Sequence, residues 1–98
     1  MIMCVSPNPA IERTWTVPGL QPEGVFRAQD SVILASGKGT NVARATRILG
    51  HEPFCAGFIA GHNGQFLAEL AESEGLRARW TEVAGETRMA AIIVDTAA

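Results

Sequence analysis

The chain has no tyrosine, two cysteines and two histidines, and its aromatic residues are four phenylalanines and two tryptophans. So few cysteines exclude a small module built on a disulfide framework. Cys4 and Cys55 stand alone in apolar runs; a single disulfide between them is conceivable, but buried reduced thiols of a cytosolic protein are the preferred reading. Neither they nor His51 and His62 show metal-ligand spacing, so no structural zinc and no metal site is expected. There is also no excess of positive charge. Eight basic residues face ten acidic ones, the net charge is −2, and a general nucleic-acid binder is excluded. No apolar run approaches the length of a membrane span. Met1 to Val5 is apolar, but Pro7 and Pro9 end it and no basic region precedes it. Neither a membrane partner nor a signal peptide is expected, and the expected compartment is the cytoplasm.

What is present suits a folded chain. Ninety-eight residues, 47% of them hydrophobic, make one domain or part of one, with a modest core. Met1 to Ser6 reads as a short buried strand, which Pro7-Asn8-Pro9 ends. Arg13 to Val17 alternates polar and apolar residues, as a half-exposed strand does, and Phe26 to Leu34 is broadly extended. Phe54 to Ala60 reads as a second buried strand. A helix is expected to follow it, with Phe66, Leu67, Leu70 and Ala71 on one face, Asn63 as N-cap and Gly75 near its end. Arg79 to Val83 and Arg88 to Asp95 read as further strands. Alternating strands and helices predict an α/β sheet, into which the segments near 13–17, 26–34 and 88–95 do not fit cleanly. No repeat, low-complexity tract or linker interrupts the chain.

Residues 36–50, Ser-Gly-Lys-Gly-Thr-Asn-Val-Ala-Arg-Ala-Thr-Arg-Ile-Leu-Gly, carry the most chemistry. Val42, Ala45, Thr46 and Leu49 fall at helical spacing, Ala43 and Ile48 widen the apolar face, and Gly50 is placed as the stop. The free N–H groups of a helix start attract anions. Lys38 beside the positive end of the dipole is unfavourable unless something negative is bound there, and Gly37 and Gly39 would let it approach. Two familiar glycine loops do not fit. A P-loop needs Ser or Thr after the lysine, where Gly39 stands, and a dinucleotide fingerprint needs a third glycine, where Val42 stands. Read alone, the loop fits a tight turn with a solvated lysine as well as a ligand cradle.

Asn8-Pro9-Ala10-Ile11-Glu12, the Gly37 to Gly50 run, Gly61-x-x-Gly64 and Gly85-Glu86-Thr87-Arg88 occur together and in order. This series resembles the N-terminal part of the PfkB (ribokinase-like) carbohydrate kinases, in the branch of 1-phosphofructokinase and tagatose-6-phosphate kinase. The resemblance covers essentially the whole chain, and its most specific element is Gly37 to Gly50. It implies the N-terminal part of a ribokinase-like three-layer α/β fold, with the strands near 13–17, 26–34 and 88–95 forming a small β lid over the sugar. The lid implies a homodimer through its strands.

By the same resemblance, Asn8, Glu12, Gly37, Lys38, Asn41 and Arg88 are the candidate substrate-binding residues, for a sugar or sugar phosphate. A carboxylate at Glu12 accepts hydrogen bonds from sugar hydroxyls, Asn41 offers both donor and acceptor, and Arg88 is a bidentate partner for a substrate phosphate. The bland alternatives are a solvated Glu12 beside Arg13, an Asn41 that is merely polar, and an Arg88 paired with Glu86. Arg27 is a weaker phosphate candidate, Arg44 and Arg47 are expected on the solvated helix face, and Trp15 and Trp80 are expected to pack. Two residues depart from the family pattern. Glu12 stands where aspartate is usual, and Ser36 replaces the first glycine of Gly-Gly-Lys-Gly, at a cost of roughly 1–2 kcal/mol if that position needs a positive φ. The family's second signature, with the catalytic aspartate and the anion hole, is not among these residues. The chain is therefore expected to be a fragment of an ATP-dependent sugar or sugar-phosphate kinase, with no catalytic residue of its own, inactive alone and binding ATP and Mg²⁺ poorly. The alternative is a non-catalytic sugar-binding or lid-pairing module.

Overall fold

The structure is a computed structural model that describes residues 1–97. Its elements are β1 (Ile2–Ser6), β2 (Ala10–Val17), β3 (Asp30–Ser36), α1 (Lys38–Ile48), β4 (Pro53–Ile59), α2 (Gly61–Ser73), β5 (Arg77–Glu82) and β6 (Arg88–Asp95). They form two sheets. One is parallel, in the order β1-β4-β5; the other is mixed, in the order β3-β2-β6, with β2 antiparallel to β3 and parallel to β6. The three segments that fitted the first sheet poorly thus pair with one another. The middle one is displaced from the expected 26–34: the ladder takes residues 30–36, and Phe26 to Ala28 lie outside regular structure.

Strand alternation decides which side of the parallel sheet is covered. Cys4, Cys55 and Ala78 are register partners on one face, and there they meet Ala43 of α1 and Leu67 and Ala71 of α2. The other face carries Met3, Val5 and Phe58, which are 58%, 56% and 50% exposed. β1 is therefore half-buried rather than buried, because helices cover only one side of it among the described residues.

Both helices stop where glycine was placed. Gly50 N–H donates to the Arg47 carbonyl and His51 N–H to Thr46, while Gly75 and Leu76 make the equivalent bonds to Glu72 and Ala71. These are paired Schellman closures. The start of α2 differs from expectation. Its N-cap residue is Ala60, not Asn63, and no side chain of its own caps it. The cap comes from the loop before β6: Glu86 Oε1 accepts the Asn63 N–H, and Asn63 Nδ2 donates to the Thr87 carbonyl at 2.9 Å.

The buried face of α1 is also not the one that apolar spacing predicts. Gly39, Thr40 and Ala43 are buried, whereas Val42, Ile48 and Leu49 are exposed. Helix α1 docks through its smallest residues. A Cβ on Gly39 would lie 2.3 Å from the Val5 carbonyl oxygen, so the absent side chain is what lets the helix start rest on the end of β1. Once that contact is fixed, rotation about the axis turns Val42 and Leu49 outward.

Candidate functional site

The site lies where the two sheets meet, beyond the C-terminal end of β1, the end at which open α/β sheets bind ligands. β3 ends at Ser36, Gly37 makes the turn and α1 begins at Lys38, so the link between strand and helix is a single residue. Gly37 has φ 131°, a region that favours glycine, and a Cβ there would lie 3.0 Å from Ser6 Oγ and 3.1 Å from Pro9 Cα. The space beside Gly37 and Gly39 is thus filled by the protein's own chain rather than left for a ligand. Ser6, at the end of β1, holds the turn in place. Its hydroxyl accepts the Thr40 N–H at 2.9 Å and shares a 3.0 Å hydrogen bond with the Thr40 hydroxyl. Ser6 supplies a helix cap from another element, and both side chains are buried.

The sheet register brings further residues to this place. Ala10 of β2 faces Ser36 on one side and Arg88 on the other, while Glu12, two residues on, faces Leu34 and Ala90. By alternation Glu12, Ser36 and Arg88 project from one face of the mixed sheet, and Ile11 and Ala35 project from the opposite face into the core. Thr87 sets the position of Arg88. Its hydroxyl accepts the Ala60 N–H at 2.9 Å, and its own N–H donates to the Ala60 carbonyl at 2.9 Å.

Two groupings result. In the first, Ser6, Pro7, Asn8, Lys38 and Arg88 line a cleft of about 320 Å³. Arg88 Nη2 donates to the Asn8 carbonyl at 3.3 Å. Glu86, the alternative partner of Arg88, is engaged at the start of α2, and the only ion pair among the described residues joins Arg44 to Glu74. Two cations therefore face one cleft with no carboxylate lining it, an arrangement that favours an anion. In the second grouping, Ser36 Oγ donates to Glu12 Oε1 at 3.2 Å and reaches Asn41 Oδ1 at 3.4 Å. Glu12 is bonded to Ser36 and not to Arg13, whose guanidinium lies 5.9 Å from the Trp15 ring centroid. All six sequence-predicted residues thus lie along one short stretch of the junction, with Gly37 joining the two groupings.

Several expectations are corrected here. Ser36 carries no backbone penalty, because the only described non-glycine residue with positive φ is Glu23. Arg44 is not on a solvated face. It is half-buried, its Nη2 donates to the Ala35 carbonyl at 2.6 Å and to Glu74 Oε1 at 2.7 Å, and its Nη1 donates to Asn41 Oδ1 at 3.1 Å. Bonding to the Glu74 carboxylate, chiefly, raises the guanidinium's pKa further above its already high value. Arg47 is exposed as expected, and Arg27 lies in the loop before β3, away from the cleft. Trp80 packs against the core, while Trp15 lines an outer hollow with Val17, Phe26 and Ile93. Sequence reasoning missed Ser6, Thr40, Thr87 and the bridging role of Ser36. Their signal is a buried hydroxyl beside a strand end, which spacing alone does not mark.

A helix-covered parallel sheet joined to a small mixed sheet matches the N-terminal part of the ribokinase-like fold. The chain belongs to the pfkB family of carbohydrate kinases, whose family model matches residues 2–98. It is 36% identical to the 1-phosphofructokinase of Haloferax volcanii over 91 residues, covering 91% of this chain and 30% of that protein. Phosphofructokinase-2 of Escherichia coli, solved with fructose-6-phosphate, superposes with a TM-score of 0.89 at 27% identity, over 98% of this chain and 32% of that one. A possible 1-phosphofructokinase of Thermotoga maritima superposes with a TM-score of 0.89 at 29% identity, over 97% of this chain and 31% of that one. The chain thus spans under a third of the length of these relatives and corresponds to the N-terminal portion of the 1-phosphofructokinase branch.

Proposed function

We propose that this chain supplies the sugar side of a sugar-phosphate kinase site, with Lys38 and Arg88 taking the substrate's phosphate and Glu12 and Asn41 taking its hydroxyls. The single observation that carries this reading is the cleft lined by two cations and no carboxylate, adjoining a half-buried carboxylate and an exposed amide. An arginine fork suits a phosphate, and an acid–amide pair suits a polyol. The relatives' own names, all three of them phosphofructokinases or possible ones and one of these solved with fructose-6-phosphate, favour a ketohexose phosphate as the substrate class. Asn8 contributes through its backbone, since its carbonyl orients Arg88.

The nucleotide side belongs to no residue described here. No group of three histidine, cysteine, aspartate or glutamate side chains among the described residues is placed to hold a metal ion. ATP and Mg²⁺, which the family's chemistry uses, are assigned in this reading to a part of a longer protein. The catalytic base, likewise, is assigned to a part of a longer protein, which makes this chain a fragment that does not turn over alone. In that longer protein the mixed sheet acts as the lid over the sugar and offers its apolar outer hollow to a second copy. The same chemistry serves a soluble cytoplasmic enzyme, and no helix of the described residues is long and apolar enough to cross a membrane.

Calorimetric titration of the 98-residue chain with fructose 6-phosphate and with fructose tests the reading. The phosphorylated sugar binds more tightly, and Arg88→Ala weakens it about ten- to hundredfold while leaving fructose nearly unchanged, as loss of charge-assisted bonds requires. Arg88→Lys restores only part of the loss, since lysine keeps the charge without the fork. Equal weakening of both sugars makes Arg88 structural and overturns the phosphate assignment.

A further inference from the structure

Arg44 fixes which way the Asn41 amide faces. A guanidinium only donates, so the Asn41 atom 3.1 Å from Arg44 Nη1 is the oxygen. Arg44 cannot swing aside, because Glu74 and the Ala35 carbonyl hold its other nitrogens. Ser36 Oγ, in a residue only 6% exposed, reaches the same amide oxygen and also Glu12 Oε1. Ser36 Oγ has a single hydrogen, given to Glu12 Oε1 or shared with Asn41 Oδ1, while Arg44 holds that amide oxygen on its own side, so the exposed part of the Asn41 amide offers a ligand the two donors of Nδ2. A carboxylate offers only acceptors, and with Ser36 on Oε1 the oxygen of Glu12 bound to no other side chain is Oε2. The two departures from the family pattern, Glu12 and Ser36, are hydrogen-bonded to each other. The longer acid is steadied by a hydroxyl that a glycine could not supply.

We propose that Ser36 is a positioning residue that, with Arg44 behind it, fixes the hydrogen-bonding polarity of the sugar site. Asn41 donates to one substrate hydroxyl and Glu12 accepts from another, and Ser36 keeps the two groups in that order. This deepens the sugar-phosphate reading and rests on it. It narrows the substrate to a polyol phosphate that presents one hydroxyl as acceptor and another as donor at fixed spacing. Rotating freely, the same two side chains would accept many hydroxyl arrangements with lower affinity, because each would have to be ordered on binding.

The test uses the 98-residue protein with two probes, fructose 6-phosphate and inorganic phosphate. Inorganic phosphate reports on Lys38 and Arg88 alone. Ser36→Ala weakens fructose 6-phosphate about three- to tenfold and leaves inorganic phosphate unchanged, the size expected for one lost hydrogen bond. Ser36→Thr keeps the hydroxyl and retains the affinity, with phosphate binding as its folding control. Weakening of both probes alike by Ser36→Ala means a merely structural role and overturns the proposal, as does no weakening of either. A ligand-free measurement separates this failure from that of the sugar reading. The NMR order parameter of the Asn41 side-chain amide falls in Ser36→Ala, and an unchanged value overturns the positioning role whether or not any sugar binds. If the unsubstituted protein binds fructose 6-phosphate no better than fructose while that order parameter does fall, the bracket stands and the phosphate reading fails.

Discussion

At the scale of single residues, this site is set by atoms that are absent as much as by those present. Gly39 is the clearest case. Alanine has the better helix propensity by about 1 kcal/mol, so a view confined to α1 predicts that Gly39→Ala stabilises the chain. The structure predicts the opposite sign. The new methyl would sit 2.3 Å from the Val5 carbonyl oxygen and 2.5 Å from its carbonyl carbon, and backbone on a strand cannot yield as a flexible side chain does. The helix must lift away from β1, taking the Ser6–Thr40 bonds with it. A net loss of about 2 kcal/mol or more is expected in urea unfolding. Gly39→Ala should also weaken fructose 6-phosphate, since Lys38 and Asn41 ride on the displaced turn. A higher urea midpoint for Gly39→Ala would mean that α1 does not rest on β1 as described.

Between elements, short polar clamps join segments that are distant in sequence. Asp95, at the end of β6, accepts N–H groups from Ala97 and Gly19 on one oxygen, each at 2.9 Å, and from Leu20 on the other at 3.0 Å. These bonds, that from Ala97 foremost and then that from Gly19, hold its carboxyl below the usual aspartate range, and desolvation opposes them only in part. A carboxyl whose folded-state pKa is depressed contributes stability that is complete above its unfolded value and is lost as pH falls through the depressed one. The clamp on the loop after β2 should therefore survive mild acid. In an NMR titration, the amide signals of Gly19 and Leu20 should move together with a midpoint below about 3.9, and that movement should vanish in Asp95→Asn. A midpoint at or above the ordinary value would show that the clamp is not made in solution. Much at this scale was legible beforehand, because it is written locally: the order of strands and helices, and the stops at Gly50 and Gly75, follow from periodicity and turn chemistry. The buried face of α1 was not legible, since the Val5 carbonyl outweighs the spacing of Val42 and Leu49. Nor was the Glu12–Ser36 contact, which depends on the pairing of Ala10 with Ser36 between two strands of uncertain bounds. The motif pointed to this junction between the sheets, while the contact of Glu12 with Ser36 within it is a product of register.

For the molecule as a whole, the shape is drawn out and apolar surface is left open. The radius of gyration is 15.2 Å, against about 13 Å for a compact chain of this length. The uncovered face of the parallel sheet presents Met3, Val5 and Phe58 to solvent, and the outer side of α1 presents Val42, Ile48 and Leu49, two separate apolar surfaces. The consequence for catalysis is sharp. Phosphoryl transfer draws its rate from positioning and electrostatic stabilisation of the reacting groups, so under the proposed reading a chain that holds only the sugar side would have no partner to aim it at. The expected outcome of a coupled assay with ATP, Mg²⁺ and fructose 1-phosphate, fructose 6-phosphate or tagatose 6-phosphate is no turnover, although fructose 6-phosphate still binds. Sugar binding in the same preparation distinguishes an incomplete site from an unfolded chain. Turnover at an ordinary enzymatic rate, on the order of 1 per second or faster, and lost in Lys38→Ala, would show that these residues assemble a complete kinase site and would overturn the division of the site between this chain and the rest of a longer protein.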